Sequence, residues 1–115
     1  MASAFKNAGM TVGVVNSSAG NLYTCPGGST AVIHALYISN KSNTNQANVD
    51  VMATIDCGST FKYIIKSASV DFENTLVLDK PINLEASDVL RVVAEYNIDS
   101  SLPDVEAFAS ILEVS

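Results

Sequence analysis

The sequence contains few of the residue types on which catalytic and metal sites depend. It has one histidine, two cysteines and no tryptophan in 115 residues. One histidine cannot build a His-rich metal site, and His34 lies in an apolar run where a hydrogen-bonded structural histidine is expected. Cys25 and Cys57 lack the paired spacing of a zinc site. We therefore expect no catalytic residue, no metal, no cofactor and no enzymatic activity.

Positive charge is also scarce. Six Lys plus Arg stand against twelve Asp plus Glu, which gives a net charge of -6. The cations are scattered singly and form no basic stripe that would neutralise phosphates, so we expect no nucleic-acid partner. The start of the chain lacks the basic and apolar segments of a signal peptide. The longest apolar run, Ala31 to Ile38, is well short of the ~18 residues of a membrane span. These features predict a protein made in the cytoplasm without membrane contact.

The acidic residues and the cysteines give no clear site either. Asp50 and Asp56 share a predicted strand face but lie about 20 Å apart along it, too far to cooperate. Asp99, Asp104 and Glu106 are closer together, although they lack the dense spacing of a calcium loop. Cys25 and Cys57 could form one disulfide or remain two buried free thiols. A reducing cytosol favours the free thiols.

What the sequence does contain is alternation. Short apolar runs with a period of two residues are separated by clusters of Gly, Ser, Asn and Asp. In the clearest run, Val49 to Asp56, two faces alternate. The face expected to be buried carries Val49, Val51, Ala53 and Ile55, and the face expected to be wet carries Asp50, Met52, Thr54 and Asp56. Residues 61–66 complete a hairpin with it. Strands are predicted over 10–15, 22–25, 30–38, 49–56, 61–66, 75–79, 82–84, 89–96 and 105–114.

This pattern predicts an all-β protein, an antiparallel β-sandwich of jelly-roll or immunoglobulin-like type with about eight short strands. Residues 10–115 form its single domain, preceded by an N-terminal arm over residues 1–9. The last segment is ambiguous, because Val105, Phe108, Ala109 and Leu112 also have helical spacing after a capping serine. The all-β context favours a strand there.

Two predicted strands are apolar on both faces, 30–38 and 105–114. In the first, we place Val32, Leu36 and Ile38 on one face and Ile33 and Tyr37 on the other. A mean hydropathy of +0.26 is high for a small soluble monomer. Spare apolar surface of this kind indicates a homo-oligomer or a larger assembly. The residues expected at its interface are Phe5, Ile33, Tyr37 and Phe108.

The polar segments 39–48 and 97–104 leave a second interpretation open. Together with one or two tyrosines they would form the surface of a carbohydrate-binding or adhesin-like module. The simpler interpretation is that both segments are solvated turns.

Three segments carry a family resemblance: Tyr23 to Ile33, Leu36 to Lys41 and Ile82 to Val92. Over residues 10–114 the chain resembles small β-sandwich virion proteins of tailed bacteriophages, especially those of cyanobacterial phages. The resemblance implies a non-enzymatic structural subunit, either a capsid decoration (cement) protein or a neck or tail component. It implies contacts with the major capsid, neck or tail proteins and location in the virion after synthesis in the host cytoplasm. It transfers no catalytic residue.

Overall fold

The computed structural model describes residues 3–14, 20–95 and 104–115. Almost all of the regular secondary structure in these residues is β-strand, which confirms the all-β prediction. None of the described residues forms a helix long and apolar enough to cross a bilayer. The strands are β1 (Ser3–Thr11), β2 (Gly13–Val14), β3 (Asn21–Thr24), β4 (Thr30–Asn40), β5 (Ala47–Ile55), β6 (Thr60–Val70), β7 (Thr75–Leu78), β8 (Ile82–Leu84), β9 (Val89–Ala94) and β10 (Val105–Val114).

The strands form two sheets of five. Sheet 1 has the order β1-β10-β4-β7, with β8 beside β7 on the same edge of β4. Sheet 2 has the order β2-β9-β5-β6, with β3 beside β2 on the same edge of β9. The pairs are antiparallel apart from the short β2, which runs parallel to β9.

The pairing is that of one long hairpin. At its centre β5 pairs with β6; outward from there, β4 pairs with β7 and β8, β3 pairs with β9, and β1 pairs with β10. The strands of this nested hairpin are distributed over both sheets, and a nested hairpin rolled in this way is a jelly roll. The structure thus decides between the two sandwich types that the sequence left open.

The core lies between the sheets. Sheet 2 contributes inward side chains such as Val51 and Val92, and sheet 1 contributes Leu36, Ile38 and Ile111; all of these are buried. Strand alternation determines which side chains point into the core, because residues two apart point to the same face of a strand. The apolar face predicted for β5 is confirmed at Val49 and Val51, whereas Ala53 is half-buried and Ile55 is 47% exposed.

A β-bulge changes the face assignment in β4. On β10, Ser110 pairs with Ala35 and the next residue, Ile111, pairs with Ile33, so His34 has no partner opposite it. One extra residue reverses the alternation along the strand. Ile33 consequently joins Leu36 and Ile38 in the core, and its predicted position on the face of Tyr37 is wrong. Being 1% exposed, Ile33 cannot contribute to an interface.

Both ends of the chain also extend the sandwich. Residues 3–9, which the sequence assigned to an arm, form most of β1 and pair in register with β10. The ambiguous last segment is a strand, so the strand interpretation is confirmed over the helical one. Most of the predicted polar loop 97–104 lies outside the described residues.

The predicted wet face of β5 is wrong at two positions. Asp50 and Thr54 are both buried. Asp50 Oδ1 accepts a 2.7 Å hydrogen bond from the backbone N of Ser67, a residue with a positive φ of 55° at a bulge in β6. Thr54 Oγ1 accepts a 2.7 Å bond from the Val89 N and donates to Asp88. Asp50 thus has a partner at the β6 bulge, and Thr54 has its partners where the chain enters β9.

The cysteines are both free, as expected, but only Cys25 is buried. Cys57 is exposed in the turn between β5 and β6, where Asp56, Cys57 and Gly58 all have positive φ. A Cβ on Gly58 would lie 2.8 Å from the Ser87 carbonyl oxygen, so this turn requires a glycine. The expectation of a second buried thiol is wrong.

Candidate functional site

The outer face of sheet 1 carries a row of exposed apolar side chains. The strand register sets Gly9, Phe108, Tyr37 and Val77 next to one another across β1, β10, β4 and β7. Phe108 is 45% exposed, Tyr37 40% and Val77 49%. The rings of Tyr37 and Phe108 contact each other with centroids 6.4 Å apart. This row crosses the sheet from one edge to the other.

A second apolar row lies parallel to the first. Here Phe5, Leu112 and Val32 are neighbours across β1, β10 and β4. Phe5 is 82% exposed, the highest value among the large apolar residues described. The bulge turns His34 outward, and its ring lies 6.1 Å from that of Phe5. His34, which the sequence predicted to be a hydrogen-bonded structural histidine in an apolar run, is thus an exposed residue beside an aromatic ring.

Each row borders a shallow depression. One has a volume of about 460 Å³ and lies along Gly9, Tyr37 and Phe108, with Ser39 and Glu106 at its rim. The other, of about 290 Å³, lies between Phe5 and His34. Open, shallow depressions beside exposed rings suit contact with another macromolecular surface better than enclosure of a small molecule.

Charged groups gather at one end of this face. Lys41 Nζ lies 3.4 Å from Asp104 Oδ1 and 3.6 Å from Glu106 Oε2. Hydrogen bonding to Asp104, with the charges of both carboxylates, raises the pKa of Lys41. The ammonium of Lys41 occupies the place that a cation would take between two of the acids considered for calcium, while Asp99 lies outside the described residues. Within those residues, no group of three or more His, Cys, Asp or Glu side chains is arranged for a metal ion.

The aromatic residues on the outer face of sheet 2 have different neighbours. Arg91 lies over the Phe61 ring at 3.9 Å and donates a 2.7 Å hydrogen bond to Asn21. Lys66 lies over the Tyr63 ring at 5.0 Å and pairs with Asp50 at 3.6 Å. Cations therefore cover the rings of sheet 2, whereas the structure shows no such cation over the rings of sheet 1 in the part of the chain that it describes.

Three of the four predicted interface residues share the outer face of sheet 1: Phe5, Tyr37 and Phe108. Ile33 is the exception, for the reason given above. Val77 belongs to the same row and was missed. Its strand is short, and Val77 lies between two other apolar residues, Leu76 and Leu78. The signal that could have found it is its alternation with the inward Leu76 and Leu78.

Two nucleophilic groups near the core, the Cys25 thiol and the Tyr23 hydroxyl, are held in their protonated forms. Burial, with the negative charges of Glu113 and Asp88, raises the pKa of the Cys25 thiol. Burial also raises the pKa of Tyr23, whose hydroxyl donates a 2.5 Å hydrogen bond to Glu113. This bond joins β3 in sheet 2 to β10 in sheet 1. Its geometry is that of a link between the sheets.

The loop that follows β4 is closed by its own hydrogen bonds. Asn40 is buried, and its Nδ2 donates to the carbonyl oxygens of Asn45 and Val70. Asn40 Oδ1 accepts from the Ser42 N, and Ser42 Oγ accepts from the backbone N of Thr44 and Asn45. The polar atoms that a glycan would need are thus partly used within the loop.

Comparisons with known proteins agree with the fold. No family model matches the chain, and no curated protein matches it. Among solved structures, it is similar to a chain in the crystal structure of the T13 particle of IBDV, described there as a missing link in the evolution of icosahedral viruses. The TM-score is 0.55 at 9% sequence identity, over 96% of this chain and 30% of the other. This chain therefore has a fold like that of a viral-particle protein and spans under a third of that protein's length.

Proposed function

We propose that this protein is a non-enzymatic structural subunit of a tailed-phage virion, a capsid decoration protein or a neck or tail component. The observation that carries the proposal is the uncovered aromatic face of sheet 1. A protein that remained alone in solution would gain nothing from leaving Tyr37, Phe108 and Val77 exposed in one row. A subunit of an assembly uses such a row to bury surface against its neighbours.

Two further observations support the proposal. The fold is a jelly roll, and its structural neighbour belongs to a viral particle. The resemblance of residues 10–114 to small phage virion proteins points to the same class. The net charge of -6 disfavours the alternative of attachment through the packaged DNA, so we propose contacts with other virion proteins.

The proposal is tested on particles of the virus that encodes the chain. Density-gradient particles should contain the protein, and immunogold electron microscopy should place it on the capsid, the neck or the tail. The absence of the protein from purified particles would overturn the proposal.

A matched pair of variants tests whether the aromatic face makes the contact. Replacing Tyr37 and Phe108 together with Ser should reduce cosedimentation with protein-depleted particles by at least about tenfold. The control is Tyr63→Ser on sheet 2, where the lost ring is 56% exposed but lies under Lys66. Equal loss for both variants would contradict a role specific to sheet 1.

The carbohydrate-binding alternative is decided by a glycan array probed with the wild type and with a single Tyr37→Ser variant. Specific binding by the wild type that Tyr37→Ser abolishes, without any association with particles, would favour it over the virion role.

A further inference from the structure

The four exposed sheet edges of the described residues differ in how they are protected. The β7/β8 edge is interrupted at Pro81, and the β2/β3 edge consists of two short strands. The β6 edge has two register shifts against β5 and carries Lys62 and Lys66. Bulges, proline, lysine and short strands are the usual means by which proteins prevent pairing at an edge.

β1 has almost none of these protections. Its nine residues pair with β10 in unbroken register, and seven of them are exposed. It contains no proline, and its one charge, Lys6, lies 4.0 Å from Glu113 of the neighbouring strand. Among the described strands, β1 alone therefore offers a long regular edge whose backbone groups point outward without a partner.

We propose that β1 pairs antiparallel with β1 of a second copy, about a two-fold axis that passes between the two copies of Asn7. Residue 7 is the midpoint of Ser3–Thr11, so this register matches all nine residues. It sets Phe5 of each copy opposite Gly9 of the other. A large exposed ring thereby meets the residue that leaves room for it, and aromatic rings packed over strand glycines are a known means of fixing register.

The surroundings of Gly9 extend this complementarity. A Cβ at Gly9 would lie 3.6 Å from the Phe108 ring, so the slot above Gly9 is already walled by an aromatic side chain. In the proposed pair, Phe5 of one copy fills that slot and contacts Phe108 of the other. The two apolar rows of sheet 1 then become one row that runs through both copies.

The neighbouring registers fit less well. A two-fold axis keeps the outer faces of both copies on the same side only when one residue lies directly opposite its own copy across the axis. An axis at Lys6 would set two lysines against each other. An axis at Ala8 would oppose Phe5 to Thr11 and Lys6 to Met10, and it would leave Ser3 and Ala4 unpaired.

Charge and area are consistent with a second copy as the partner. Two chains of net charge -6 repel each other. Near the proposed interface, however, the only charged residue in β1 is Lys6, and the outer-face residues of β10 from Phe108 to Leu112 are uncharged. An edge of nine residues is about 30 Å long and ~10 Å thick, or roughly 300 Å². Since a standard interface buries ~800 Å² per partner, the dimer should be weak and depend on the Phe5 ring for added burial.

A double-mutant cycle tests the register. We expect Phe5→Gly to remove the ring and Gly9→Phe to oppose two rings, so each variant should weaken association by at least about tenfold. The variant carrying both substitutions exchanges the large and the small residue and should regain association to within about threefold of the wild type. Sedimentation equilibrium gives the constants, and circular dichroism checks folding.

Cross-linking tests the axis independently of the cycle. In a Cys57→Ser background, Asn7→Cys places two thiols directly opposite, with Cβ atoms about 5 Å apart. A short bismaleimide should then yield covalent dimers. The matched control, Ser3→Cys, would place its two thiols about 27 Å apart and should not cross-link with itself.

Each result decides the proposal. Rescue by the double variant together with cross-linking at residue 7 supports it. A wild type that stays monomeric at about 1 mM overturns it, as does cross-linking at residue 3 but not at residue 7. Failure of the double variant to recover, while it remains folded, overturns the register. The inference holds whether or not the chain is part of a virion.

Discussion

The outer faces of the two sheets carry similar aromatic residues with opposite surroundings. On sheet 2, Arg91 lies over Phe61 and Lys66 lies over Tyr63, and each cation is held by a further polar group. On sheet 1, Tyr37 contacts Phe108 and Phe5 contacts His34. The exposed rings of sheet 2 thus lie beneath charged, hydrated groups. Those of sheet 1 lie beside other rings, and their polar atoms are the Tyr37 hydroxyl and the His34 nitrogens.

The difference shows that an exposed aromatic residue is not by itself a sign of an interface. A ring under a cation keeps a hydrated group above it, and docking a partner there requires that group to be desolvated. A ring beside another ring carries no such cost. The neighbours across the strands, and not the exposure of a single side chain, identify the surface available for contact.

The largest expected effect sharpens the boundary between the two faces of sheet 1. Ile33→Ala should lower the free energy of unfolding by about 3 kcal/mol, because the bulge places Ile33 in the core. The adjacent Val32→Ala, on the outer face, should cost less than ~1 kcal/mol. Urea denaturation measures both. Equal losses would contradict the bulge at His34.

The second prediction removes the support of the cationic face. Asp50→Ala should cost about 2–3 kcal/mol, because it leaves the Ser67 amide without an acceptor and Lys66 without its carboxylate. Asp50→Asn is the matched control, since its Oδ1 can still accept the Ser67 bond, and it should lose less. Thermal melting distinguishes the two. If Asp50→Asn lowered the stability more than Asp50→Ala, the ion pair with Lys66 would matter more than the hydrogen bond from the Ser67 amide.

The third prediction makes sheet 2 more like sheet 1. Arg91→Ala uncovers Phe61 and should cost about 0.5–1 kcal/mol while increasing the binding of a hydrophobic dye. The control is Lys6→Ala. It removes a cation from sheet 1 that lies over none of the described rings, so dye binding should not change. The comparison between the faces would fail if dye binding rose equally in both variants.

The smallest effect concerns the link between the sheets. Tyr23 and Cys25 both have raised pKa values in the folded state, so the stability they contribute is fully present at low pH. It should be lost as the pH rises past the ordinary values of 9.0 for cysteine and 10.0 for tyrosine. Tyr23→Phe should therefore flatten the decline in melting temperature above pH 10. An unchanged alkaline slope would exclude Tyr23 as its source.

Strand content and the β5–β6 hairpin could be predicted because alternation is a local property of the sequence. The face of Ile33 could not, since a bulge is a feature of the pairing with β10 and reverses the alternation without a local signal. Asp50 was misassigned for a related reason: its burial depends on the positive φ of Ser67 in another strand.

The candidate surface was predictable in part. Tyr37 and Phe108 follow from apolar runs on both faces of β4 and β10. β1 was mistaken for an arm, because an edge strand needs few apolar residues when backbone pairing with β10 holds it in place. Val77 depended on knowing which strand lies beside β4, which is a property of topology.

The interruption at Pro81 determines how far a sheet built from this protein can grow. Sheet 1 has one long regular edge, β1, and one edge that proline interrupts. Chains with two open edges add copies indefinitely and form fibres. Here a single pairing at β1 would consume the only regular edge described in sheet 1, so polymerisation along that sheet would end after one step.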